Sequence, residues 1–393
     1  MTQLSAAAVA RSRTLGEPRW SPDGAHLAWL EVAGGVVDLV VLPVAVPGPL
    51  LMVTAEASVT KLGAYGGGGF CWASPDELVY AAVDGRLVAI PRAGGPLRVL
   101  CAEGQAAAPT VAPGGDRVAF VLERDDACDI AVVPLAGDAT PSVVSHADYA
   151  WDPAWSPDGC ALAWHEWDLP AMPWDSSRIA LARLDGSGAD APLVVAGGDG
   201  IAVAQPRFSP DGGRLAFVSD ATGWMNVWVA RSDGSDARVL RAEEHEHAEP
   251  AWGPGQRSFA WSPDGRALAY ARNEQGFGRL VLLDVHASSA AGVAAGAPRD
   301  RSKGWHHGLD WGSGGIACIR SGGRTAPQVT LLDPAADDGH GRRSLARGAP
   351  GELDALDLPE PDPVSWTADD GATVHGILWR PPGTAGAAGV PGA

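Results

Sequence analysis

The chain has 393 residues, with 29 Lys plus Arg against 47 Asp plus Glu and a formal charge of −18, which excludes the basic face that a nucleic-acid backbone requires. Hydrophobic residues make up 46%, and 16 Trp stand beside 51 Gly and 32 Pro; disorder is excluded, and many turns with many aromatics is the composition of an all-β protein. Cys71, Cys101, Cys128, Cys160 and Cys318 stand singly with no C-x-x-C spacing, so neither a disulfide framework nor a zinc site is expected.

Met1 to Arg13 holds a short Ala-rich run but no cationic stretch leading into a long apolar core, and no apolar run is long enough to span a bilayer. The expectation is a cytoplasmic protein without membrane contact. From residue 14 a repeat takes over. The pentapeptide W-S-P-D-G stands at Trp20–Gly24, Trp155–Gly159 and Trp261–Gly265, with F-S-P-D-G at Phe208–Gly212 and a shorter Ser74-Pro75-Asp76. Ala112-Pro113-Gly114-Gly115 and Trp311-Gly312-Ser313-Gly314 are weaker echoes. Successive markers are 53, 38, 44, 53, 53 and about 50 residues apart, a period that signals an array of structural units.

Within a unit, Pro sets φ for the second position of a tight turn and Gly takes the left-handed position that closes it. After each turn comes a short strand that reads large aliphatic, small, aromatic: Leu27-Ala28-Trp29, Leu78-Val79-Tyr80, Val118-Ala119-Phe120, Leu162-Ala163-Trp164, Leu215-Ala216-Phe217, Leu268-Ala269-Tyr270, and Ile316-Ala317-Cys318 in the last unit. A strand apolar on both faces suits a sheet packed between two others. A third strand (Leu39–Leu42, Leu87–Ile90, Ile130–Val133 and their counterparts) and a short fourth complete the unit. The predicted fold is therefore an all-β, seven-bladed β-propeller of four-stranded antiparallel blades over 14–347, with units beginning near 14, 57, 103, 147, 198, 242 and 300. A linker over 348–363 follows. The hairpin at Val364–Thr367 and Thr373–Trp379 lies outside the repeat phase and opens a further region over 364–393.

The repeated turns share one face of such a propeller; the irregular, aromatic and charged loops fall on the other, where function is expected. His165 to Asp175 places Trp167, Met172 and Trp174 among prolines with Glu166, Asp168 and Asp175 around them. It reads either as a docking surface or as a loop folding its aromatics onto itself. Glu243 to Glu249 concentrates acids around His245 and His247. An acidic site for a substrate amine, with Glu246 and Glu249, a metal pair lacking further ligands, and a solvated acidic loop are the readings it supports. Trp224 and Tyr65 lie on the same elaborated face. The glycine run at 66–69 lacks the Lys and Ser/Thr of a phosphate loop and reads as backbone-shaping. No G-x-S-x-G nucleophile elbow occurs, and no catalytic residue, metal or cofactor is expected.

Several segments resemble the prolyl oligopeptidase family of serine peptidases, in its acylaminoacyl-peptidase and dipeptidyl-aminopeptidase-like branch. Leu169-Pro170-Ala171-Met172-Pro173-Trp174-Asp175 resembles that branch's P-x-M-P-W-D loop, Tyr65-Gly66-Gly67-Gly68 its Y-G-G-G loop, and Glu246–Trp252 its E-x-x-x-P-x-W segment. Val364 to Pro382 is similar to the entry into its α/β-hydrolase domain. The resemblance implies a propeller that gates a Ser-Asp-His hydrolase acting on short or N-acylated peptides. The sequence stops at Ala393 before any such triad, so a truncated, inactive chain is expected. Its implied partners are short peptides and neither nucleic acid nor membrane, with a homo-oligomer left open. The substrate- or interface-facing candidates are Glu246, Trp174, Asp175, Met172, Glu166, Trp167, Tyr65, Trp224 and Glu249. The alternative is a free-standing TolB-like propeller that binds a protein partner.

Overall fold

The computed structural model describes residues 5–46, 48–54, 58–60, 67–125, 127–137, 139–185, 188–288, 292–336, 340–351, 356 and 358–380. Apart from a five-residue helix at Ala6–Ala10, the regular structure is β. No helix among the described residues is long and apolar enough to cross a membrane.

The S-P-D-G turns behave as their chemistry dictates. Ser21 Oγ donates to Asp23 Oδ1 at 2.6 Å, and the same bond recurs at Ser156–Asp158, Ser209–Asp211 and Ser262–Asp264 over 2.5, 2.5 and 2.6 Å. Each serine hydroxyl also accepts the amide five residues on, at 2.9 to 3.0 Å. The glycines sit at φ between +68° and +71°, the left-handed region that Gly enters at no steric cost. After each turn the aliphatic-small-aromatic strand is inaccessible: Trp29, Tyr80, Phe120, Trp164, Phe217 and Tyr270 are at most 1% exposed. Both faces of these strands are packed, so the sheets stand side by side around an axis in a propeller-like arrangement.

Among the described residues, five separate blades of four or five antiparallel strands are formed, and a nine-stranded sheet lies among them. Seven separate four-stranded blades are therefore not what hydrogen bonding defines. The reason is local. Cys128 at the start of Ala127–Pro134 makes a parallel bridge to Tyr149 at the start of Tyr149–Trp155, which fuses the third and fourth repeat units into one sheet. In the sixth unit, Arg299–Lys303 adds a fifth strand to Phe277–Ser288.

Each of the other sheets is built from strands consecutive in sequence, so among the described residues no strand is exchanged between the first and the last. Side chains join them instead. Leu15, Trp20, Leu27, Trp29 and Val40 of the first pack with Ala317, Ile319, Val329 and Leu331 of the last, and the Arg13 amide donates to the Gly348 carbonyl at 2.7 Å.

The region beyond 347 was expected to be a linker up to 363. Pairing begins earlier, at Pro361 opposite Trp379, giving the hairpin Pro361–Thr367 and Thr373–Trp379 as a two-stranded sheet of its own.

Candidate functional site

One strand of most units runs along the axis, and it carries a feature that the repeat alone does not announce. In Thr14–Trp20, Gln105–Val111, Tyr149–Trp155, Val203–Phe208 and Trp305–Gly312 the ladder slips, leaving a bulge. The bulged residues are Glu17, Ala108, Asp152, Gln205 and Gly308, at φ of 53°, 44°, 52°, 60° and 64°. Four of them precede a proline: Pro18, Pro109, Pro153 and Pro206. Proline has no amide to donate, so the slipped ladder leaves no donor unpaired there.

The bulges bring polar side chains to the axis. Glu17 Oε2 accepts the Gly69 amide at 2.9 Å, Asp152 Oδ1 the Gly255 amide at 2.5 Å, and Gln205 Oε1 the Ser258 amide at 2.8 Å. Two residues further along each strand, Arg19 and Arg207 approach Arg257, which pairs with Asp310 at 2.9 Å. Burial, then the charge of Arg257, lowers Arg19 to about 9 and Arg207 to about 10. Burial raises the carboxyls of Glu17 and Asp152, with the arginines opposing it.

Above this layer opens a cleft of about 690 Å³ on the face opposite the S-P-D-G turns. Glu17, Gln205, Gly255 and Arg257 belong to its floor, and Trp174, Trp224, Glu246, Glu249 and Trp252 to its walls. Trp174 packs against Trp252 with ring centroids 4.6 Å apart. Glu246 is half-buried and accepts the Met225 amide at 2.7 Å, while Glu249 is exposed. The cations of the cleft are already engaged. Arg272 bonds Glu243, Glu274 and Asp300, Arg279 pairs with Glu274 at 3.3 Å, and Arg257 holds Asp310. The cleft therefore offers aromatic faces and carboxylate oxygens, a combination suited to a cationic or amine group.

Of the nine candidate residues, Glu246, Trp174, Trp224 and Glu249 come together here. Met172 and Asp175 are exposed on the same loop as Trp174 without reaching the cleft. Glu166 and Trp167 do not form a rim around that loop. Both lie in the strand Ala161–Trp167, whose residues are all buried. Glu166 Oε2 accepts the Trp164 indole N–H at 2.6 Å and its other oxygen meets Arg178 at 3.3 Å. Trp167 stacks on Tyr149 at 5.3 Å and meets Trp151 edge-on at 4.6 Å. They point to opposite faces of that strand, and both faces are packed, so both are buried away from the loop. Tyr65 lies outside the described residues. The glycines after it act on the backbone. A Cβ on Gly67 would collide with the Pro254 carbonyl oxygen, and one on Gly68 would press on Ala108.

The histidine pair at 245 and 247 does not present two free ligands. His247 is 2% exposed; the Val227 amide donates to its Nδ1 at 3.3 Å, which leaves Nε2 to donate to Glu243 Oε2 at 2.9 Å. Burial pushes Glu243 up, but His247, Arg241 and Arg272 outweigh it and hold the carboxyl at about 2. No group of three or more metal-ligating side chains occurs among the described residues. Sequence reasoning missed the axial residues Glu17, Arg19, Asp152, Gln205, Arg207, Arg257 and Asp310. For Glu17, Arg19, Asp152, Gln205 and Arg207 the signal is the recurring x-Pro-x-Trp/Phe ahead of the turn, as in Glu17-Pro18-Arg19-Trp20, Asp152-Pro153-Ala154-Trp155 and Gln205-Pro206-Arg207-Phe208; Arg257 and Asp310 stand outside that motif.

A propeller-like ring with an elaborated cleft on one face defines a class of recognition scaffold rather than an activity. The comparisons narrow it. No protein-family model matches the chain. Dipeptidyl-peptidase 5 of Arthroderma otae is 32% identical over 154 residues, 34% of this chain and 20% of that protein. Its counterpart in Trichophyton schoenleinii is 30% identical over 122 residues, 30% of this chain and 15% of that one. Among solved structures, a Mycobacterium tuberculosis puromycin-hydrolyzing peptidase superposes with a TM-score of 0.81 at 22% identity, over 97% of this chain and 61% of that one. A puromycin hydrolase gives 0.79 at 25% identity, over 96% and 61%. The chain thus has sequence relatives among the dipeptidyl-peptidases 5 and shares its fold with puromycin-hydrolysing peptidases. It spans about three fifths of those solved peptidase chains, and its matches to the curated relatives cover a fifth of their length or less.

Proposed function

We propose that this chain is the substrate-gating propeller of a serine peptidase acting on short or N-acylated peptides, with the cleft as its peptide-facing surface. The observation that carries the reading is the convergence of Trp174, Trp224, Glu246 and Glu249 on one cleft while its arginines are occupied by other partners. A peptide amine would find unneutralised carboxylate oxygens there, and apolar side chains would find indole faces. In the same reading the nine-stranded sheet counts as two blades fused at one bridge, making seven in all. Seven apolar clusters among the described residues, each shared by neighbouring repeat units, support that count. The hairpin Pro361–Thr367 and Thr373–Trp379 is read as the lead-in to a hydrolase domain. Recognition, not bond cleavage, is assigned to these 393 residues, because no G-x-S-x-G occurs among them.

Calorimetric titration of the chain with short peptides, amino-free and N-acetylated, tests the gating surface. Glu246→Ala is expected to weaken amino-free peptides about tenfold, the scale of one charge-assisted hydrogen bond of roughly 1.5 kcal/mol, and to leave acetylated ones nearly unchanged. Equal binding of both peptide classes by wild type and variant would refute the role given to Glu246. A fluorophosphonate probe should leave the chain unlabelled; covalent labelling would overturn the assignment of recognition alone.

A further inference from the structure

The passage from the fifth repeat unit to the sixth does not stay at the rim. Its residues 253–257 line the floor of the cleft, and their partners lie all round the ring. The Gly255 amide donates to Asp152 Oδ1, 103 residues away and two units back. Arg19 of the first unit donates to the Gly255 carbonyl at 3.4 Å, and Arg207 of the fifth donates to the Gln256 carbonyl at 3.2 Å. Arg257 pairs with Asp310 of the last unit, and its carbonyl accepts the Leu309 amide at 3.0 Å. On the side of the second unit the backbones touch: a Cβ on Gly255 would run into the Gly68 amide nitrogen, and one on Gly67 into the Pro254 carbonyl. A segment bonded or packed at once to the first, second, fourth, fifth and last units must cross the axis.

We infer that Gly253-Pro254-Gly255-Gln256-Arg257 is a plug that seals the propeller's axis at the cleft, so that the cleft is blind and a ligand enters and leaves it only by the loop face. The sixth unit is built for this. Its axial strand, Phe259–Trp261, has three residues where those of the other units have five to eight. The residues thereby released from the ladder make the crossing. Gly255 at φ +80° supplies the turn with no side chain in the way. Asp152 is the anchor, 5% exposed, on a bulge that aims it inward. For the gating function proposed above, the plug excludes any route along the axis. Its existence does not depend on what binds in the cleft.

Amide hydrogen exchange of the intact chain tests it without any ligand. Peptides covering 252–258 should exchange as slowly as sheet peptides such as 214–219, and at least a hundredfold more slowly than the exposed loop at 220–224. Asp152→Ala should raise exchange in 252–258 at least tenfold while 214–219 stays protected. Asp152→Asn, which keeps an acceptor oxygen, should fall between. Two results would overturn the plug: wild-type exchange in 252–258 as fast as in 220–224, or unchanged exchange there in a folded Asp152→Ala. If Asp152→Ala fails to fold, the wild-type comparison decides alone. Because no peptide ligand is used, loss of the plug and loss of the gating function would be told apart.

Discussion

Trp20→Ala is expected to cost about 3–5 kcal/mol of folding stability, the range for removing a large buried aromatic from a packed core. The indole is 7% exposed, and a Cβ on Gly312 or Gly314 would run into it, so those glycines are the socket it fills. Its Nε1 donates to the Gly315 carbonyl at 3.0 Å, and the Trp20 amide donates to Asp310 Oδ2 at 2.7 Å. The same device recurs where the chain runs from one unit to the next. Trp72, Trp155 and Trp261 donate to the carbonyls of Arg19, Thr110 and Arg207 at 3.1, 3.1 and 3.2 Å. At Trp20, however, the units joined are the first and the last, and no strand among the described residues crosses between them. Truncation there leaves a cavity, strands a carbonyl and weakens the junction that closes the ring. Urea unfolding of Trp20→Ala beside Trp20→Phe measures it. Phe keeps most of the burial and loses only the N–H donor, about 1–3 kcal/mol for the carbonyl left unmade. A loss below about 1 kcal/mol for Trp20→Ala would show that the ring closes without this contact.

Two buried histidines, His165 and His306, are expected to contribute about 4 kcal/mol of stability loss between pH 7 and pH 5. His165 is 0% exposed with neither ring nitrogen hydrogen-bonded, and burial alone lowers it to about 3. His306 is 2% exposed and is also lowered to about 3, by burial and then by Arg320. The unfolded chain takes up protons near the ordinary histidine value of about 6.5 while the folded chain does not. The unfolded state therefore binds more protons between about 6.5 and 3, and stability declines as pH falls through that window. Each group contributes about 2 kcal/mol of this loss by pH 5. Further down, Glu243, held at about 2, adds to the loss as pH drops below the ordinary carboxylate range. Urea midpoints at pH 7 and 5 for wild type and His165→Leu check the assignment. The variant should lose about 2 kcal/mol of the pH dependence; an unaltered difference would remove His165 from the account.

Where the sequence was read correctly, the causes are short in range. The S-P-D-G turn is closed by a serine, an aspartate and a glycine within five residues, so its geometry follows from those residues wherever they stand. The aliphatic-small-aromatic strand carries its double-sided burial in its own composition. From these two elements the unit, its period and the elaborated face could all be placed. Trp174 and Glu246 were legible as loop residues of unusual character, and the cleft gathers both. Glu166 and Trp167 stand next to the Pro170–Pro173 loop in sequence, but they lie on opposite faces of a strand packed on both sides, Glu166 bonded to Trp164 and Arg178 and Trp167 packed on Tyr149 and Trp151.

The amino-acid sequence by itself determined the all-β repeat, its turns and the segregation of plain turns from irregular loops, because each depends on interactions within a few residues. Only the tertiary structure decided which units fuse into one sheet, which loop residues share the cleft, and that residues 253–257 cross the axis. Cys128 meets Tyr149 by the placement of two strands, and Gly255 meets Asp152 by closure of a ring. Left-handed backbone at Glu17, Asp152 and Gln205 is likewise unfavourable locally. The inter-unit hydrogen bonds that their side chains make hold it in place. Such contacts have no signature in either partner's neighbourhood, so the fold alone brings them into being.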